Sequence, residues 1–551
     1  MRETLALLPD ARVRELSVWA APAAGNLDHE MRLAALDLGS NSFHLIVADV
    51  HPDGTFEGIT REKEMLRLGD EVSRFGRITE RGIEHAVDTA RRFTRIAHAD
   101  GAIEVIAKAT SAIRSAENGS EVVDRLEEAT GLDIEVISGL EEARLIFAAI
   151  RASVVLDPAP ALCIDIGGGS VEFMVGDATG LRWSTSEHLG VGRLTAELVE
   201  NDPPSKADRR RLEERIRATL EPLEPDIAAF GPRMAVGSSG TLNDLARMVT
   251  AARTGEVPST SNGLRIDADD FLALHDRIMR AKVSERRRMP GLEPQRAELL
   301  PAGSMLLAVA IDIFGFEQLT TSDWALREGI VLDAVRTHDP DDWSDDPRAL
   351  RRAAVAGLAR RCNSEPAHTR HVVRLALSLF DQTESLHHLG PVDREMLEYA
   401  VILHDIGQHV SRKGHHRHAA YLVENGQLRG FAPDEVALLA ALVRHHRRGD
   451  PKDSEPRMAA LSPADRLRAR QLVALLRIAD GLDRGRRDVV DSFDVQIGPQ
   501  LVMLRLRTHG DPELELWGAR RKRDLFERVF DRELELTLAH PAPVGAQIAA
   551  E

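Results

Sequence analysis

The hydrophobic pattern along the chain changes texture twice. From residue 31 to about 335, short apolar runs of strand length (LAALDL, HLIVADV, EVIAKA, ALCIDI, EFMVGD, MAVGS) alternate with segments of helical periodicity. That alternation predicts layered α/β structure. From about 348 the apolar positions recur at helical spacing, which predicts helices over 368–380, 394–406, 415–425, 433–446 and 464–482. From about Val490 the runs FDVQI, LVMLRLRT and LELW alternate as strands before the helix-like ARRKRDLFERVF. A small α+β module is expected there.

Within the first part an internal repeat stands out. An offset of 128 carries LAALDLGSNSFHLIVADV onto ALCIDIGGGSVEFMVGDA, so that Asp37 meets Asp165, Gly39 meets Gly167, Ser42 meets Ser170 and Asp49 meets Asp177. Each copy reads as a strand, a D-x-G turn and a second strand. The expected unit is a β-hairpin whose glycines allow positive-φ backbone and let a ligand approach main-chain N–H groups. One D-x-G alone is ordinary turn chemistry; two copies with both flanking strands point to a phosphate clamp. A third glycine turn, VGSSGTL at 236–242, runs from a strand into a helix, where free N–H groups and the helix dipole favour an anion.

A chain of 551 residues needs several domains. The pattern divides it into an extension over 1–30, a first α/β lobe over 31–152 with a helix returning at 322–335, and a second lobe over 153–321. An acidic linker over 336–347 (HDPDDWSDDP over 338–347), a helical domain over 348–489 and the α+β module over 490–551 follow. The extension lacks an unbroken apolar signal-peptide core, and Met31, directly before the first strand, is the expected translation start. Hydrophobic residues at 43% can bury real cores, filled mainly by aliphatic side chains because only 4% are aromatic. The net charge of −17 excludes a surface that is a general nucleic-acid or membrane footprint. The two cysteines, Cys163 and Cys362, fall in different domains, so no internal disulfide is expected and a reducing, cytoplasmic setting fits. Basic residues available to a polyanion are 286–288, Arg351, Arg352, Arg360, Arg361, Arg412, Lys413 and the run 444–448.

Phosphoryl chemistry needs positioned N–H donors, a divalent cation, a cation for the equatorial oxygens and a group to orient the attacking oxygen. Asp37 and Asp165, at strand ends, are candidate metal ligands; Glu172, where the first copy has His44, is a third. Thr110 and Arg114 follow a strand, and arginine suits bidentate phosphate contact. Glu141 and Glu142 open a helix, where adjacent acids ordinarily serve the dipole, and spacing does not separate them.

The segments DLGSNSFHLIV, ATSAIRSAENG, VISGLEEARLI, IDIGGGSVEF, AVGSSGTLNDLA and ERRRMPGLEPQRAELLPAG, in order between 33 and 335, resemble the exopolyphosphatase/guanosine pentaphosphate phosphatase (Ppx/GppA) family. The resemblance implies an α/β fold of duplicated actin-like lobes (the sugar kinase/actin superfamily) with a cleft between them. It implies Glu142 as the base for the lytic water, Arg114 on the phosphate under attack, and Asp165 and Glu172 serving Mg²⁺ (or Mn²⁺). Gly167, Gly168, Gly169 and Ser170, with Gly237, Ser238, Gly240 and Thr241, would cradle phosphates. Ser40 and Asn41 would contribute from the first hairpin, and Arg67 would reach the chain. The implied substrate is inorganic polyphosphate, with guanosine pentaphosphate converted to tetraphosphate as a further activity, in a homodimer with no nucleic-acid or membrane partner.

The helical part reads H…HD…H…HH…D and resembles the HD superfamily of metal-dependent phosphohydrolases. His368, His404, Asp405 and Asp480 are its expected core ligands for a second divalent metal site, completed by His418 or His415 and by His445 or His446. Two readings of another class stand beside hydrolysis. One is a guanosine-phosphate-regulated sensor with little turnover; the other is a kinase on the same fold.

Overall fold

The computed structural model describes residues 31–50, 56–156, 159–338, 347–426, 428, 430–447 and 449–539. The expected N-terminal extension and the acidic stretch 339–346 lie outside the described residues.

The first sheet contains β1 (Met31–Leu38), β2 (Ser42–Val50), β3 (Phe56–Met65), β4 (Glu104–Ala109) and β5 (Ile134–Val136) in the order β3-β2-β1-β4-β5. β1 pairs antiparallel with β2, and β2 with β3; β1 pairs parallel with β4, and β4 with β5. The second sheet contains β6 (Ala161–Ile166), β7 (Val171–Asp177), β8 (Gly180–Glu187), β9 (Met234–Ser238), β10 (Arg265–Asp267) and β11 (Gln318–Thr321). From one edge it runs β8-β7-β6-β9-β11, repeating the order and strand directions of the first sheet, with β10 added antiparallel at the far edge. The duplication seen in two short hairpins therefore extends to whole sheets.

β1, β2, β6 and β7 are almost wholly buried, which is why they read as near-continuous apolar runs. β3 and β8 lie at sheet edges and carry the polar sequences FEGITREKEM and GLRWSTSE. A central core joins Leu33 and Ile46 of the first sheet to Cys163, Met174 and Val236 of the second through two helices, Gly139–Ser153 and Leu326–His338. The second of these is the expected return helix, ending three residues later than the pattern predicted. At Gly329 a Cβ would collide with the Leu145 carbonyl, so only glycine lets these two helices approach so closely.

The helical region comprises Pro347–Arg361, Pro366–Gln382, Pro391–Leu403, His415–Asn425, Pro433–His445 and Pro463–Gly481. Proline opens most of them, where its missing N–H costs nothing. β12 (Val490–Ile497), β13 (Leu501–Thr508) and β14 (Glu533–Leu538) form a third sheet. LELW, expected as a strand, lies in the helix Glu513–Arg520, with Leu514 and Trp517 exposed while Glu515 is buried and accepts the Gly485 N–H at 2.9 Å. That buried hydrogen bond overrides the alternating pattern; the third strand is the later ELELTL. ARRKRDLFERVF divides between this helix and a second one, Arg523–Phe530. One unbroken core runs from Val355 and Leu475 through Phe493 and Leu504 to Phe526 and Leu536. The boundary near 490 is a change of secondary structure, not of core. No helix among the described residues is long and apolar enough to cross a membrane.

Candidate active site in the cleft between the lobes

The loops after β1 and β6 meet face to face. A Cβ at Gly168 would stand 2.6 Å from the Asn41 Cβ, and one at Gly169 would stand 2.5 Å from the Ser40 hydroxyl and 2.8 Å from that of Ser111. Gly39, Gly167, Gly168 and Gly169 do not adopt the positive φ expected of them. At Gly39 and Gly167 a Cβ would meet the carbonyl of Ser42 or Ser170 in the same hairpin, whereas at Gly168 and Gly169 it would meet residues of the first lobe. The Ser40 hydroxyl accepts the Ala112 N–H at 2.9 Å, which ties the first loop to the helix that carries Arg114. In the third loop Ser239 takes φ 92°, and the helix Gly240–Thr254 begins under the guanidinium of Arg296, which would have to swing aside to admit a Cβ at Gly240.

A cavity of about 300 Å³ lies between these loops. Of the residues singled out in the sequence, Asp37, Ser40, Asn41, Thr110, Glu142, Asp165, Gly167, Gly168, Gly169, Ser170, Gly240 and Thr241 line it. Arg114, Glu172 and Ser238 stand one contact behind: Arg114 on Glu142, Glu172 opposite Asp165 in the β6–β7 register, and Ser238 donating its hydroxyl to Asp165. Gly237 lies next to Ser238 on β9. Arg67 is not among the lining residues. It pairs with Glu298 at 2.8 Å and donates to the Gln295 carbonyl at 3.4 Å.

The helix Gly139–Ser153 resolves the paired acids. Its N-cap Ser138 accepts the Glu141 N–H at 3.1 Å, and Glu141 turns outward to Arg144 at 2.7 Å. Glu142, one position on, is only 8% exposed and faces the cavity. Its Oε2 is 3.2 Å from Arg114 Nη1, which also donates to the Ile137 carbonyl at 2.6 Å.

Four carboxyls share this buried region, and each is pushed up. Burial followed by the charge of Glu142 takes Asp37 to about 8, against the pull of Arg327. Burial takes Glu142 to about 7 although Arg114 opposes it. Asp165 rises to about 6 through burial, against the Ser238 hydrogen bond. Glu172 is driven well above the carboxylate range by burial and then by Glu142 and Asp165. Asp37 Oδ1 is buried without a hydrogen-bond partner. An all-oxygen donor set with mutual repulsion and an unpartnered oxygen fits a hard divalent cation.

Several lining residues went unassigned in the sequence. Lys63 from β3 reaches Glu293 at 2.6 Å; Arg296 pairs with Glu293 at 2.9 Å and Asp244 at 3.6 Å; Arg327 faces His44 Nδ1 at 3.3 Å. Arg296 belongs to PQRAEL, within a segment that carried the resemblance, but nothing in its spacing marks a role. Two of the basic residues named as available to a polyanion are engaged within the fold. Arg286 is buried and donates to the carbonyls of Ala297 and Ala281. Arg351 stacks 4.4 Å from the Phe431 ring and pairs with Glu435 at 2.8 Å.

In the helical region His368, His404 and Asp480 form one group of possible metal ligands, and Asp405, His415 and His446 form another. His418 and His445 join neither; His445 turns to Glu455 at 3.5 Å. Of the paired choices left open by the sequence, the structure brings His415 and His446 to Asp405.

Similarity to known proteins follows the same division of the chain. The family model described as the Ppx/GppA phosphatase family matches residues 46–338, and the one described as Ppx/GppA phosphatase, domain III, matches residues 350–506. Exopolyphosphatase 1 of Mycobacterium tuberculosis is 33% identical over 343 residues, which cover 61% of this chain and 96% of that protein. Exopolyphosphatase 1 of Mycobacterium leprae is 33% identical over 303 residues, covering 55% and 89%. The crystal structure of an exopolyphosphatase from Cytophaga hutchinsonii superposes with a TM-score of 0.53 at 30% identity, covering 56% of this chain and 98% of its own. With one family model spanning more than half of its length and the model of that family's third domain matching the helical region beyond, the chain belongs to the Ppx/GppA phosphatase family.

Proposed function

We propose that the chain is an exopolyphosphatase, hydrolysing the terminal phosphoanhydride bond of inorganic polyphosphate and releasing orthophosphate. The observation that carries this reading is Glu142, a buried carboxyl held by Arg114 where the two glycine loops converge, with its pKa raised to about 7. A base poised near neutrality takes a proton from water efficiently, and burial supplies that tuning. The relatives named exopolyphosphatase, matched over nearly their whole length, support the same substrate class.

The loop amides around Gly168 and Gly240 bind and orient the terminal phosphate, and Arg114 holds Glu142 from behind, so that its positive charge acts on the cavity through that carboxylate. Asp37, Asp165 and Glu172 are the residues that would hold a divalent ion, proposed to be Mg²⁺, which supplies charge neutralisation at the transferred group when bound. Lys63, Arg296 and Arg327, each already paired with or facing a polar neighbour, line the path for the following phosphates. Family resemblance adds a homodimer and cytoplasmic residence to the proposal.

Orthophosphate release from long polyphosphate, with guanosine pentaphosphate run in parallel, tests the reading. Release from polyphosphate is the expected result, and release from the pentaphosphate as well would add the second activity. Binding of either compound without release would replace hydrolysis with the sensor reading.

A further inference from the structure

The two hairpins of the duplication match at their serines and differ two residues later, where the first carries His44 and the second Glu172. In the second lobe Glu172 takes hydrogen bonds from Ser170 and from Ser186, the latter at 2.8 Å, so the Ser170 proton is engaged inside the protein. In the first lobe the Ser42 oxygen lies 2.7 Å from His44 Nε2. Ser42 and His44 both line the cleft cavity, beside Asp37 and Ser40.

Which of these two atoms donates is decided on the other side of the ring. His44 Nδ1 faces Arg327 Nη1 at 3.3 Å, and a guanidinium nitrogen only donates. Nδ1 is therefore the acceptor, the neutral ring carries its proton on Nε2, and Ser42 Oγ receives it. Arg327 is itself held: its Nε lies 3.1 Å from Glu328 Oε1, which Arg61 Nη1 also approaches to 3.1 Å, and the other oxygen of this buried glutamate accepts the Ala325 N–H at 3.1 Å. The Ser42 hydroxyl thus keeps a proton for which the fold supplies no acceptor, since among the described residues His44 is its one hydrogen-bond partner. Ser42 is buried at the cavity wall, and a buried hydroxyl ordinarily satisfies its donor. The oxygens of a fully ionised phosphate only accept.

We propose that Ser42 donates its hydroxyl proton to a phosphate oxygen of the bound polyphosphate, and that His44 and Arg327 are positioning residues that commit it to this role. The proposal rests on the reading of the cleft as a polyphosphate site and adds a contact to it. The matched serines then divide the work: Ser170 supports the carboxyl that would hold the metal, and Ser42 meets the substrate. The helix Leu326–His338, which seals the first lobe, reaches the reaction through Arg327.

Solid-state magnetic resonance of the full chain labelled with ¹⁵N-histidine, with a His44→Gln spectrum subtracted to isolate this ring, reads the tautomer. A proton on Nε2 and none on Nδ1 is expected, and a proton on Nδ1 overturns the arrangement. Ser42→Ala should lower kcat/KM for polyphosphate about 10- to 100-fold, as for loss of one hydrogen bond to a charged group. His44→Phe fills the space without a donor and should cost nearly as much, whereas His44→Gln, whose amide donates from the place of Nε2, should recover most of the loss. Because His44 acts through the hydroxyl, the double variant Ser42→Ala/His44→Phe should be no slower than Ser42→Ala alone. Wild-type activity in Ser42→Ala, losses that multiply in the double variant, or His44→Gln no better than His44→Phe overturns the proposal. Calorimetric binding of inorganic phosphate with Mg²⁺ separates this contact from the hydrolase reading, and Ser42→Ala should weaken it about ten-fold or more. If wild type releases no orthophosphate, the hydrolase reading fails, yet weaker phosphate binding in Ser42→Ala upholds the contact and unchanged binding overturns it.

Discussion

The lobe cleft and the histidine cluster both bury aspartates, yet the two regions push them in opposite directions. In the cleft, burial and neighbouring acids act together, so that Asp37 reaches about 8. In the cluster, burial is again the largest influence on Asp405 and Asp480 and again raises them, but the surrounding basic side chains outweigh it. His404, His446 and Arg486 hold Asp405 well below the carboxylate range, and Lys522, His404 and His446 do the same for Asp480. Burial sets the stakes, and the sign of the neighbours decides the outcome. The cleft is a set of oxygens that repel one another until a cation arrives; the cluster carries counter-charges from its own chain.

That contrast can be broken most forcefully at the cleft's base. Glu142→Gln keeps the shape and removes the proton acceptor, and phosphate release should fall by about 10²- to 10⁴-fold, read as kcat on polyphosphate. Gly168→Ala drives a methyl group into Asn41 and parts the two loops; a displacement near 1 Å should cost about 10²-fold in kcat, with folding measured by thermal melting as control. In the cluster, Lys522→Ala leaves Asp480 without its main counter-ion. The chain should lose about 3 kcal/mol in denaturant unfolding, as expected when one partner of a buried pair is removed.

Acidity separates the regions by sign. Asp37, Glu142 and Asp165 have folded-state values above their unfolded ones, so the metal-free fold binds more protons than the unfolded chain. Their contribution to stability is present below the ordinary carboxylate range and is lost as pH rises through about 6 to 8. A divalent ion displaces those protons, so its affinity for the cleft should rise with pH over that window, measured by titration calorimetry in buffers of different ionisation enthalpy. Asp405 and Asp480 work in reverse: their contribution is present above the ordinary carboxylate range and is lost only in stronger acid. The smallest effect is expected at Arg67, whose partly exposed pair with Glu298 is outside the cavity. Arg67→Ala should change stability by less than about 1 kcal/mol and leave the KM for polyphosphate unchanged.

Much of the cleft could be read in the sequence because its chemistry is local. A strand, a glycine turn and a second strand make a contiguous signature, and duplication made it visible twice. What the sequence withheld depends on which way a side chain turns. Glu141 and Glu142 are neighbours in sequence, but one points to Arg144 and the other into the cavity, a difference set by the packing of their helix. His415 and His446 are separated from His418 and His445 only by rotation about helix axes, which periodicity fixes too loosely to choose. Lys63 lies on an edge strand whose polar face reads as solvent-exposed, and its partner Glu293 is 230 positions away. The LELW segment misled because alternation was read without the hydrogen bond that buries Glu515.

The return of Leu326–His338 to the first sheet sets an order of assembly as the chain is made. Lobe I cannot close its core until the ribosome has finished lobe II, because the helix that seals it comes afterwards in the chain. The same holds at the other end, where Phe526 and Leu536 complete the core beneath the histidines. Both halves of the molecule therefore wait on their last-made segments, and a nascent chain halted before residue 326 would leave the inner faces of both sheets for a chaperone to hold.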